Sequence, residues 1–177
     1  FATALSYDAI KDADLVIEAV FEDMGVKESV FKQLDATMKP GAILATNTSS
    51  IPLEEIASAL ADPSRLIGLH FFNPVARMML VEIVVGATTR PSLVAPAAAF
   101  VRQIDKLPLP VKSAPGFLVN RILAPYLMAA MRAVDEGVAP EAVDAAALAF
   151  GMPMGPIELA DTVGLDICVE VGKLLGE

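Results

Sequence analysis

Over roughly its first two-thirds the chain alternates short apolar runs with stretches of helical periodicity, and this rhythm narrows the possible folds more than any other feature. Residues 14–20 (Asp-Leu-Val-Ile-Glu-Ala-Val) read as a strand. Over 26–38, Val26, Val30, Phe31, Leu34 and Met38 recur at the spacing of one helix face. Pro40-Gly41 stops that helix, and 42–46 is the next strand. The cycle then repeats. A helix is predicted over 51–60, with Pro52 in its first turn and Glu54 and Glu55 near the positive end of its dipole. Strands follow over 65–72 and 79–85, then a helix over 92–106 and a last strand near 109–112. Strands and helices joined by short turns imply right-handed crossovers and a largely parallel sheet.

After Lys112 the pattern changes. Segments 117–136, 140–150, 157–161 and 165–175 all read as helical, separated by Gly and Pro. A boundary near Ser113 divides an α/β part, residues 1–112, from an all-α part, residues 113–177. The α/β part opens in mid-fold. A doubly wound nucleotide-binding domain begins with a strand, a Gly-rich turn and a helix whose N-terminus holds a pyrophosphate. No G-x-G-x-x-G occurs here, and residues 1–6 suggest only the end of a strand. The expectation is a domain whose first half is missing from this chain.

Bulk properties bound the function. With 55% hydrophobic and 20% charged residues the chain suits helices packed on a buried sheet. A formal charge of −9 argues against a nucleic-acid partner, which needs clustered Lys and Arg, but leaves room for an anionic ligand held by helix N-termini or a few local cations. The single cysteine, Cys168, cannot form an internal disulfide, which suits a reducing compartment, and reads as a small packing residue rather than a nucleophile. No apolar run approaches the roughly 20 residues that span a bilayer, and no leader pattern is seen, so the expectation is a soluble, cytoplasmic protein without a membrane partner. One His, one Cys and scattered carboxylates give no metal-ligand spacing.

Ligands of parallel α/β sheets bind at the carboxyl ends of strands. Two polar clusters fall there: Thr46-Asn47-Thr48-Ser49-Ser50 and His70-Phe71-Phe72-Asn73-Pro74. For the first, the ordinary reading is a helix N-cap supplied by Ser50. For the second, His70 is the sole histidine and therefore the one side chain suited to proton transfer near neutrality, although a lone histidine among apolar residues is more often packed core. Glu82, in the run Leu80-Val81-Glu82-Ile83-Val84-Val85, raises the odds. A carboxylate buried in an apolar strand is costly unless a partner hydrogen-bonds it, and an imidazole oriented by it becomes a better base. The bland alternative has Glu82 facing solvent on an edge strand. Glu22 and Lys27 form another pair, with Lys27 suited to a phosphate or ribose hydroxyl or simply a solvated lysine. Asn120 would donate to a ligand carbonyl or bridge the two parts.

Together these residues resemble the L-3-hydroxyacyl-CoA dehydrogenase family. The likeness runs through Val16-Ile17-Glu18-Ala19-Val20-Phe21-Glu22, Asn47-Thr48-Ser49-Ser50, Gly68-Leu69-His70-Phe71-Phe72-Asn73-Pro74, Leu80-Val81-Glu82 and Pro115-Gly116-Phe117-Leu118-Val119-Asn120-Arg121. It continues through Gly151-Met152-Pro153-Met154-Gly155-Pro156 and Asp161-Thr162-Val163-Gly164-Leu165-Asp166. The tail resembles the dehydrogenase module of bacterial multifunctional β-oxidation proteins more than the free-standing enzyme. The resemblance implies a partial Rossmann-like NAD-binding domain followed by an all-α domain, and NAD-dependent oxidation of L-3-hydroxyacyl-CoA to 3-oxoacyl-CoA. It implies His70 as the base, Glu82 as its orienting carboxylate, and Ser49 and Asn120 on the substrate's hydroxyl and carbonyl. It also implies Val20, Phe21, Glu22, Lys27, Ser49 and Asn73 as cofactor contacts, and a homodimer through the helical domain. Where the chain departs from the family, it lacks the Gly-rich turn, the acidic residue that reads the adenosine ribose and the helical hairpin that holds CoA. Two other readings stand beside this one: a non-catalytic packing or dimerisation module, and a relative acting on a non-CoA hydroxy acid.

Overall fold

The computed structural model describes residues 2–165 together with 168, 169 and 172. The chain divides into two compact units, Phe1–Phe117 and Leu118–Glu177.

The first unit is built on a five-stranded sheet in the order β1-β2-β3-β4-β5: β1 (Leu15–Glu18), β2 (Ile43–Thr46), β3 (Leu66–Phe71), β4 (Leu80–Val85) and β5 (Leu107–Lys112). β1, β2 and β3 run parallel, β4 runs antiparallel to β3, and β5 is parallel to β4. Helices α1 (Met24–Thr37), α2 (Leu53–Ala57) and α3 (Val94–Gln103) supply the crossovers. Side chains alternate across the sheet, so β2, β3 and β4 each feed two cores. Leu44, Leu66 and Val84 join Phe31, Leu34, Leu53 and Ile56 on the α1/α2 face. Ala45, Ile67, Leu69, Val81 and Ile83 join Ala97, Ala98 and Val101 under α3. Each fully buried Leu, Ile or Phe contributes about 1.5–3 kcal/mol, which is what commits these short strands to one register.

The elements follow the predicted order, some with shorter and some with longer ends. α2 is only five residues long, because Pro52 stands before it as the N-cap residue and makes no side-chain capping bond. Arg65 belongs to a 3-10 turn ahead of β3 rather than to the strand. It is buried there, donating to the carbonyls of Ala42 and Lys39 and pairing with Asp35 at 3.2 Å. β5 begins at Leu107, earlier than expected. Pro108 and Pro110 lack amide donors, but an edge strand pairs on one side only and tolerates them. Residues 2–6 form no strand.

The second unit contains α4 (Val119–Asp135), α5 (Pro140–Phe150) and α6 (Pro156–Val163). α5 ends on Gly151 in the left-handed region at φ 112°, a conformation glycine adopts without strain. α6 is capped from a distance: Asp144 accepts from the amides of Ile157 (2.8 Å) and Glu158 (3.1 Å). Gly155 is required beside that cap, since a Cβ there would stand 2.2 Å from the Asp144 carboxyl carbon. Most of the predicted helix over 165–175 lies outside the described residues. Among the described residues no helix is long and apolar enough to cross a membrane.

Candidate active site

His70 and Glu82 are paired residues on adjacent strands of the β3–β4 ladder. Both point to the α1/α2 face, as Leu66 and Val84 do two and four positions away along the alternation. His70 Nδ1 lies 2.7 Å from Glu82 Oε2. The Glu82 carboxylate is 0% exposed, and β4 is an interior strand, so the solvent-facing reading fails. With Nδ1 taken by the carboxylate, Nε2 is the nitrogen left for other chemistry. Two rings fix the imidazole: Phe72 at 4.5 Å between centroids and Phe117 edge-on at 5.4 Å. Phe117 is buried and follows Gly116 into positive φ, at 48° against 70° for the glycine. A bulky residue in that region costs of order 1–3 kcal/mol, and such strain concentrates where a side chain must be aimed.

The second cluster lies over the carboxyl ends of β1 and β2. Lys27, in the second turn of α1, is 1% exposed. Its ammonium sits 2.9 and 3.1 Å from the two Glu18 carboxylate oxygens and 3.2 Å from Glu22 Oε2. The expectation of a solvated lysine is therefore corrected: the ammonium is buried against the Glu18 and Glu22 carboxylates. The Ser50 cap is corrected as well. Its hydroxyl donates to Glu22 Oε1 at 3.0 Å, and the same oxygen accepts from the amides of Ser49 (3.0 Å) and Ser50 (3.1 Å) and from the Thr48 hydroxyl. Thr48 Oγ1 receives the Ile51 amide at 2.9 Å, as a capping oxygen would. Asn47 ties this loop to the next strand, its Oδ1 accepting from the Phe71 amide at 2.8 Å.

Burial opposes ionisation of Glu22, but the Thr48 hydroxyl, the Lys27 charge and the Ser50 hydroxyl outweigh it and hold the carboxyl below its ordinary value of 4.5. The stabilisation this provides is fully present above that value and fades as pH falls through the lowered one. Thermal melting of Glu22→Gln should therefore trail the parent protein above pH 4.5 and converge with it in more acidic solution. A gap that does not narrow on acidification would refute the role given to this carboxylate.

Of the other expected residues, Val20 and Phe21 are exposed on the loop after β1, Phe21 at 86%. Asn73 is exposed in the β3–β4 connection, and Ser49 is half-buried. Asn120 is half-buried in the first turn of α4, in the second unit. Sequence reasoning gave no role to Glu18, Thr46, Thr48 or Asn47. For Glu18 the signal was present: a carboxylate in an apolar strand, the same anomaly that singled out Glu82.

The fold is thus a largely parallel, Rossmann-like five-stranded sheet with crossover helices and a buried His–carboxylate pair across β3 and β4, followed by a helical unit. The family profile of the 3-hydroxyacyl-CoA dehydrogenase NAD binding domain matches residues 1–114, and that of the 3-hydroxyacyl-CoA dehydrogenase C-terminal domain matches residues 116–177. The chain belongs to the 3-hydroxyacyl-CoA dehydrogenase family. It is 43% identical over 173 residues to the fatty acid oxidation complex subunit alpha of Shewanella baltica, an alignment covering 98% of this chain and 24% of that protein. Among solved structures, the (S)-3-hydroxybutyryl-CoA dehydrogenase PaaH1 of Ralstonia eutropha superposes with a TM-score of 0.93 at 41% identity, over 97% of this chain and 62% of the other. The 3-hydroxybutyryl-CoA dehydrogenase of Escherichia coli K12 gives 0.92 at 42% identity, over 97% and 37%. The chain thus spans about a quarter of the length of the curated relatives it matches.

Proposed function

We propose that the protein of which this chain is part oxidises an L-3-hydroxyacyl-CoA to the 3-oxoacyl-CoA in fatty-acid β-oxidation, with NAD as cofactor. The observation that carries the reading is the His70–Glu82 pair, buried, 2.7 Å apart and at the carboxyl end of a strand. His70 removes the proton of the substrate's 3-hydroxyl through Nε2 while Glu82 holds the ring and stabilises its protonated form. The family resemblance gives Ser49 and Asn120 as the residues that hydrogen-bond the substrate's hydroxyl and carbonyl. When bound, NAD accepts the hydride that leaves C3.

The residues present fit the nicotinamide end of that cofactor. Val20 and the projecting Phe21 offer an apolar wall, Glu22 and Ser49 offer an acceptor and a donor next to it, and Asn73 is exposed in the β3–β4 connection. Lys27 belongs to this group through Glu22, the carboxylate it holds. No Gly-rich turn for the pyrophosphate occurs in these residues, so a protein carrying the preceding half of the domain is the one expected to bind NAD tightly. In this reading residues 1–112 are the later part of the NAD-binding domain and residues 113–177 the helical domain, which pairs with a second copy as a homodimer. α5 supports that pairing: it contains no buried residue, and Leu148 and Phe150 stand exposed on it. The same reading has the enzyme work in the cytoplasm.

The test is acetoacetyl-CoA-dependent oxidation of NADH by this chain and by a version extended through a Gly-rich first half. Turnover by the extended protein, with little or none of it when a free 3-hydroxy acid couple replaces the CoA ester, is the expected result. Absence of turnover in both, or a preference for the free acid, would sink the proposal.

A further inference from the structure

Glu18 is a fully buried carboxylate that the chemistry above does not use. Its Oε1 accepts from the Val20 amide at 2.7 Å and from Lys27, and its Oε2 accepts from Lys27 and from the Thr46 hydroxyl at 2.7 Å. Thr46 Oγ1 in turn accepts from the Thr48 amide at 3.3 Å. Lys27 passes the connection to Glu22, and Glu22 gathers the Thr48, Ser49 and Ser50 donors. One carboxylate is thus tied to both loops of the rim, 20–22 directly and 46–50 by two routes.

We propose that Glu18 is a positioning residue for the cofactor-facing rim, holding Lys27 so that Glu22 fixes the loop that carries Ser49; this rests on the functional reading above. The physical argument starts from cost. Taking two carboxylates and an ammonium away from water is expensive, and well-packed apolar side chains of similar volume often match or exceed the stability of a buried ion pair. A merely structural role is therefore the weaker explanation for charges at this point. What apolar packing cannot do is hold a partly exposed carboxylate in one orientation, and Glu22 needs that to keep four donors of the neighbouring loop together. Misplacing a reactive constellation by about 1 Å can cost about a hundredfold in rate, which is the scale of effect such a support controls.

The experiment uses the extended protein, with its NAD-binding first half. Glu18→Gln alone strands the Lys27 charge, so the informative variant is Glu18→Gln combined with Lys27→Met, which removes both charges. Its melting temperature is expected to return to within a few degrees of the parent. Amide exchange of the segment 47–51, measured without cofactor, is nevertheless expected to be about tenfold faster. The NADH KM and the NADH Kd are expected to rise about tenfold or more, with kcat changed far less. Parent-like exchange and parent-like NADH affinity in this variant would overturn the proposal. Should the double variant melt early, Thr46→Val keeps both charges and the shape and removes the hydroxyl that links Glu18 to the Thr48 amide. Faster exchange at 47–51 with a raised NADH KM supports the proposal, and no change in either refutes it. The exchange readout needs no turnover, so an inactive parent protein would defeat the functional reading while still deciding whether Glu18 holds the loop.

Discussion

His70→Asn is expected to lower the rate of the extended dehydrogenase by about 10²- to 10⁴-fold while leaving its folding nearly intact. The asparagine amide can still donate to Glu82 from about where Nδ1 does, but it offers no base in the position of Nε2. His70→Ala should lose as much rate and also about 1–3 kcal/mol of stability, because the Glu82 carboxylate, 0% exposed, loses the donor at 2.7 Å. The comparison separates chemistry from structure: steady-state turnover should fall together in the two variants, and thermal melting should fall only in the alanine one. Turnover that survives in His70→Asn would remove His70 from the mechanism. A histidine kept only for packing would instead show its whole effect in the melting curve.

Gly68→Ala is expected to be the most destabilising single methyl in the first unit. Gly68 pairs with Val84 across the β3–β4 ladder, and its Cβ would lie 2.6 Å from Val84 Cβ, 3.1 Å from Val84 Cγ2 and 3.3 Å from Leu53 Cδ1. Neither strand backbone can move without disturbing the His70–Glu82 pair one step along the same face. Overpacking of this kind costs about 1–3 kcal/mol, so the melting temperature should drop by at least about 2 °C. Gly68→Ala combined with Val84→Ala should recover little of the loss, since the second change deletes Cγ2 but keeps the Val84 Cβ that would stand 2.6 Å away. A single variant that melts with the parent would mean that the ladder relaxes more freely than its spacing implies.

The order of elements was readable from periodicity because most of them are local: a strand needs its alternation and a helix its face. The His70–Glu82 pair was readable for a different reason. A charge in an apolar run demands an explanation, and the partner was twelve residues away in the next strand. Glu18 posed the same question and its answer lay equally near, in Lys27 nine residues on, but the polar residues around Lys27 made it look like an ordinary solvated helix position. Ser50 was misread for lack of distance information. Its place before a proline and a helix suits a cap, and only the fold brings Glu22, 28 residues earlier, against it. Local chemistry set the elements, and contacts across the sheet ends set the roles.

The two residues of the proposed acid–base pair belong to one antiparallel ladder and meet in direct register, His70 with Glu82. This governs how the gene can change in length. Residues 74–79 are exposed, so insertions and deletions there alter the connection and leave the pair alone. One residue added inside β3 or β4 is another matter. A single-step slip turns every following side chain to the opposite face, which would swing Glu82 into the apolar layer under α3 and bring Val81 or Ile83 opposite the imidazole. Lineages carrying this fold should therefore vary the length of the connection beyond Asn73 and hold the two strands to a fixed count.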